Sequence, residues 1–163
     1  MSAESAERLP LFLVDGHNVI HAWPELRVQL RQGGGEAAAR SVLAGILRGF
    51  GDNRNVSVAV VFDGRGARTE LSTAESSPGF QVFYSAAGDT ADAVIERFVR
   101  SSAEHYAMTI VTGDSGIRAA VLHEGADWIS PLQFSDLVEA EKALLAERLR
   151  RRRRRRRPAN DCR

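Results

Sequence analysis

Three aspartates in this chain each close a short apolar run. Asp15 follows residues 11–14 (LFLV), Asp63 follows residues 58–62 (VAVVF), and Asp114 follows residues 108–112 (MTIVT) after one glycine. Two further acids, Asp89 and Asp92, lie in GDTADAVI, residues 88–95, where a spacing of two gives way to one near three and a half. Asp-Gly is ordinary turn chemistry, but a turn would accept Asn, Ser or Gly as readily. Three runs that all end on a carboxylate point to a cluster. Two carboxylates 4 Å apart repel by about 1 kcal/mol in water and about 4 kcal/mol at an effective dielectric near 20. A gathered set is therefore unfavourable unless a proton or a cation neutralises it. Hard oxygen donors without cysteine or organised histidine suit Mg²⁺ or Mn²⁺. Such an ion can polarise a phosphate and activate water.

The elements that must carry these acids follow from periodicity. A continuous apolar run suits a strand buried on both faces of a parallel sheet. Strands are expected at 11–14, 57–62, 80–84, 108–112 and 127–129, and helices at about 36–50, 89–104, 114–123 and from 133 to 150 or beyond. Strand and helix alternate, as the crossovers of a parallel sheet require. The strand-end acids then share the carboxyl edge of that sheet, where α/β proteins bind ligands. Gln32 to Gly35 reads as a loop, and residues 64–79, rich in Gly, Ser and Thr, as a flexible connection beside the site.

Other roles are open to individual residues. Asp89 suits a helix N-cap, and Asp114 could cap a helix starting at Ser115. His17 and His21 are four apart but sit at a strand exit, which favours surface or substrate contact over metal binding. Trp23, before Pro24, could stack on a base or pack into the fold. Arg65 and Arg68 are candidate phosphate contacts. Thr112 and Ser115 could orient water or phosphate.

Composition sets bounds. With 163 residues and 44% hydrophobic content, one proper core is expected. Neither a long apolar span nor a charged-then-apolar leader is present, which favours a cytoplasmic protein. The single cysteine, Cys162, excludes a disulfide framework, and His17, His21, His105 and His123 lack zinc spacing. The net charge of +1 hides a division. Residues 1–147 hold twelve basic and twenty acidic side chains, net −8, whereas residues 148–163 hold ten arginines against Asp161, net +9. Blocks of like charge often serve as interaction arms. A solvated helix end would have the same composition.

The motifs VDGHNVIHAWPEL, VVFDG, GDTADAVIERFV and VTGDSGIRAAV, in this order, resemble the NYN domain ribonucleases of the YacP type, part of the PIN-like nuclease group. The likeness covers roughly residues 10–140. Two features depart from it: His17 stands where tyrosine is usual, and the arginine run is not part of the pattern. The resemblance implies an α/β three-layer PIN-like fold, with a mostly parallel sheet between helices. It implies metal-dependent cleavage of RNA, with Asp15, Asp63, Asp92 and Asp114 as catalytic and Mg²⁺- or Mn²⁺-binding acids. Asn18 would line the same pocket. Arg65, Arg68, Thr112 and Ser115 join it as substrate-binding candidates.

The expected organisation is a disordered N-terminus (1–9), the nuclease domain (10–147) and an arginine-rich tail (148–163). The expected activity is a cytoplasmic endoribonuclease with RNA as partner and the ribosome as a candidate setting. A noncatalytic RNA- or ribosome-binding protein on the same fold is the alternative. A phosphatase-like hydrolase ranks last, because Gly16-His17 follows Asp15 and the sole lysine is Lys142.

Overall fold

The computed structural model describes residues 7–156. Six strands form one sheet in the order β3-β4-β2-β1-β5-β6. They are β1 (Leu9–Asp15), β2 (Ser57–Gly66), β3 (Glu70–Leu71), β4 (Phe80–Ala86), β5 (Tyr106–Val111) and β6 (Asp127–Ile129). All pairings are parallel except β3 with β4. The apolar runs account for this arrangement. β1 sits between β2 and β5 and must bury both faces. Phe12 and Val14 enter one core, while Leu11 and Leu13 enter the other.

The first core packs beneath α1 (Gly16–Ala22), α2 (Pro24–Arg31), α3 (Gly35–Arg54) and α6 (Pro131–Arg156). The second lies under α4 (Ala91–Ser102) and α5 (Ser115–His123). The result is three layers, as expected. Among the described residues no helix is long and apolar enough to cross a membrane.

Several local expectations change. The histidine segment is helical: Gly16 opens α1 directly after Asp15, and a side chain there would overlap the Phe62 ring, with a Cβ only 2.2 Å from Phe62 Cε1. Only glycine lets the helix start so close to β2. Pro24 then starts α2, its fixed φ suiting a first helical turn. Trp23 is packed between these helices, 1% exposed, and donates from Nε1 to Pro131 O at 2.7 Å. It therefore packs against Phe134, ring centroids 5.8 Å apart, rather than on a base.

The glycine-rich stretch after Asp63 is more ordered than expected, because β2 runs on to Gly66 and β3 pairs back onto β4. Leu9, placed with the N-terminal segment, is the first residue of β1 and pairs with Tyr106. α4 begins at Ala91 with Thr90 as its cap, whose hydroxyl accepts from Ala93 N at 3.1 Å. Asp89 instead pairs with Arg97. α6 passes through residue 148 without a break and keeps helical form to Arg156. Residues 1–6 and 157–163, including Cys162, lie outside the described residues.

Candidate active site

Asp15 ends β1, and Asp114 begins the turn of helix that follows the neighbouring β5. Both are N-caps. Asp15 Oδ1 accepts from Asn18 N at 3.2 Å, and Asp114 Oδ1 accepts from Gly116 N at 2.7 Å. The helices so capped, α1 and α5, point their positive ends at the carboxyl edge of the sheet. α4 does the same across the chain, since Ala91 N donates to Asp63 Oδ1 at 3.0 Å. Capping and site formation are thus one arrangement rather than alternatives.

Asp92 occupies the first turn of α4 and joins the group. Its carboxyl lies beside those of Asp15 and Asp114. Burial, then these two carboxylates, push Asp92 up to about 7. Burial also raises Asp15, against the lowering effect of its Asn18 hydrogen bond. Asp114 lies below the usual range, chiefly through the Gly116 N–H and secondarily through Asp92.

Asn18 fixes the geometry. Its Nδ2 donates to Asp15 Oδ2 at 2.8 Å, while its Oδ1 accepts from Gly113 N at 2.9 Å. One side chain thereby ties the end of β1 to the loop that leads to Asp114. A Cβ at Gly113 would stand 2.6 Å from Asn18 Oδ1, so this loop position requires glycine. Thr112, expected to touch substrate, is fully buried, and its Oγ1 accepts from Asp114 N at 3.2 Å. It orients the acid instead. Ser115 is exposed at the start of α5.

Asp63 stands to the side of these three acids, within electrostatic reach of Asp15. Its Oδ2 is 3.6 Å from His17 Nδ1, and it lines a cleft of about 560 Å³ with Arg65, Arg40, Glu36 and Tyr84. His17 Nε2 contacts Glu36 Oε1 at 2.8 Å, and Arg40 reaches the same oxygen at 3.2 Å. The His17 contact, more than Arg40, holds the Glu36 carboxyl below its ordinary value. His17 Nδ1 and Arg40 Nε are buried without a hydrogen-bond partner among the described residues. Sequence reading did not join Glu36, Arg40 or Tyr84 to the site, because they arrive from α3 and β4. Arg68 lies further along, exposed in the bend before β3.

The donor set suits a hard cation. Burial and the neighbouring Asp15 and Asp114 carboxylates make the charged form of Asp92 costly, and a divalent ion would offset that cost. Among the described residues no group of three or more His, Cys, Asp or Glu side chains could hold a metal ion unaided. Mg²⁺ does not need such a cage, since it commonly takes one or two carboxylates and leaves the rest of its shell to water and phosphate.

A parallel sheet layered between helices, with acids meeting at its carboxyl edge, defines a PIN-like nuclease fold. The chain belongs to the YacP-like NYN domain family, whose model matches residues 12–162. It is also similar to the solved structure of Rae1 (YacP) from Bacillus subtilis and to that of a single-residue mutant of the same protein. Each aligns at 26% identity with a TM-score of 0.71 and covers 88% of this chain. The alignments cover 83% of the mutant chain and 81% of the other. No curated protein matches the chain.

Proposed function

We propose that this protein is a metal-dependent endoribonuclease acting in the cytoplasm, with its reaction centre at Asp15, Asp92 and Asp114. The observation that carries this reading is the grouping of the Asp92 carboxyl with those of Asp15 and Asp114 at the edge where three helix N-termini converge. Acids that need an added positive charge, beside positively polarised helix ends, form a setting suited to a cation and a phosphate together.

Asp15, Asp92 and Asp114 would hold the ion, with Asp63 beside them. When bound, Mg²⁺ or Mn²⁺ would supply the Lewis acidity that polarises the phosphate and lowers the pKa of the attacking water. The chain's own residues do the positioning. Asn18 holds both Asp15 oxygens in one orientation, and the buried Thr112 hydroxyl sets the Asp114 backbone. Positive charge there would favour Asp92 as a carboxylate, an anionic oxygen beside Asp15 and Asp114. Asp63 anchors the start of α4, and so the position of Asp92 one residue on. In the adjoining cleft Arg40 and Arg65 offer guanidinium groups to the phosphates flanking the cleaved one.

Labelled single-stranded RNA, incubated with purified protein and Mg²⁺ or Mn²⁺, tests the proposal. Internal cuts that disappear with chelator and with Asp15→Asn are expected. Wild-type protein that binds RNA without cutting it, alone or with ribosomes, would instead establish the noncatalytic binding role.

A further inference from the structure

The arginine run is positioned by α6, and the course of that helix is informative. β6 is parallel to β1, so it ends on the edge that holds the acids. α6 starts there. Its first residue, Pro131, receives the Trp23 N–H and lies beside Gly113. The helix then runs back along the first core, burying Phe134 and Val138. At Glu141 it meets Arg54, 2.9 Å away, at the end of α3. Arg54 lies just before β2 begins at Ser57, so the helix has reached the opposite edge of the sheet. No described residue beyond Val138 is buried.

With a rise of 1.5 Å per residue, residues 150–156 stand about 14 to 22 Å beyond Glu141 and about 28 to 38 Å from Pro131. Glu147 pairs with Arg150 at 3.6 Å and with Arg151 at 2.9 Å. Arg152 to Arg156 have no carboxylate partner among the described residues, and all are exposed. Like charges three and four residues apart oppose the helix they occupy. A polyanion laid along the helix would relieve that repulsion, whereas the acidic body offers phosphates none.

We infer that the projecting end of α6 is a docking arm for the phosphate backbone of a large RNA, remote from the segment that is cut. This rests on the nuclease reading for its second half, and the remoteness is what makes it specific. A tail folded over the active site would help every substrate. An arm on the opposite edge helps only an RNA long enough to reach both, a span of about 28 to 38 Å from the start of α6.

The test replaces Arg152, Arg153, Arg154, Arg155 and Arg156 with Gln in the full chain, beside a variant with Lys at the same five positions. Two RNAs are compared, one of roughly four nucleotides, too short to span that gap, and one of roughly forty. For the long RNA the Gln variant should raise KM at least about tenfold at moderate salt, with kcat unchanged. Its dependence of log affinity on log salt should flatten by about 3.5 to 4.5, since each phosphate no longer neutralised removes about 0.7 to 0.9 from the slope. Between roughly 50 and 200 mM salt this removes a hundredfold or greater loss of affinity.

The Lys variant should behave as wild type on both RNAs, and the short RNA should be cut equally by all three proteins. Equal harm to both RNAs by the Gln variant would overturn the remote arm, as would harm to neither. Loss of binding to anionic phospholipid vesicles with RNA binding intact would assign the arm to membranes and also overturn it. Absence of cleavage by the wild type counts against the nuclease reading alone, because filter binding of the long RNA still reports on the arm.

Discussion

Asn18 donates from Nδ2 to Asp15 Oδ2 at 2.8 Å, and with its other amide atom it receives the N–H of Gly113. This one side chain ties the end of β1 to the loop after β5, just past the parallel pairing that sets Val14 opposite Val111. Asn18→Ala should cost about 1 to 3 kcal/mol, because it strips one donor from a buried carboxylate and an acceptor from a backbone N–H. Activity should fall by about a hundredfold, as a misplacement of 1 Å can cause. Gly113→Ala should reproduce both effects by crowding Asn18. Chemical denaturation and RNA cleavage rates check the pair.

Asp114 both caps α5 and contacts Asp92, and two substitutions separate these roles. Asparagine caps a helix as well as aspartate does, so Asp114→Asn should leave stability within about 0.5 kcal/mol while lowering cleavage by orders of magnitude. Asp114→Ala should lose the same activity and a further 0.5 to 2 kcal/mol or so of stability. Equal melting of the two variants would show that the cap is dispensable.

The upward shift of Asp92 makes the metal-free fold sensitive to pH. Because its folded value of about 7 lies above the ordinary 3.8, the folded state binds the extra proton between these values. The group's contribution to stability is complete below about pH 4 and is lost as pH rises through about 7. In chelator, wild-type Tm should therefore drop between pH 5.5 and 8, and Asp92→Asn should drop less. Mg²⁺ should raise the wild-type Tm more at pH 8 than at pH 5.5. Differential scanning fluorimetry across that range gives both slopes.

Trp23 has a structural task, which a conservative change exposes. Trp23→Phe leaves the buried Pro131 carbonyl without its donor, a loss of about 1 to 3 kcal/mol. The value of kcat/KM measured well below the melting range should not change. A drop in RNA affinity at full folding would restore base stacking as its role.

Much of the architecture was legible because burial leaves a local trace. Apolar runs at 11–14, 58–62 and 108–112 specify strands covered on both faces, and parallel strands in turn demand intervening helices. An acid at each strand end must then share an edge with the others. α1 and α2 left no such trace: at seven and eight residues they are too short for a periodic stripe, and α1 is set by the room beside Phe62 that Gly16 provides. β3 is two residues long and exists through pairing with β4.

Which acids touch was decided in three dimensions. Asp15, Asp92 and Asp114 meet, while Asp63 turns aside to Ala91 N and His17, and Glu36 and Arg40 come to it from α3. The arginine block was plain as composition, but its position on the edge opposite the acids depends on where α6 begins and how far it runs. Local sequence determines which faces must be buried and which groups carry charge. Distances between groups far apart along the chain arise only when the buried faces pack, because packing alone converts separate preferences into one set of coordinates.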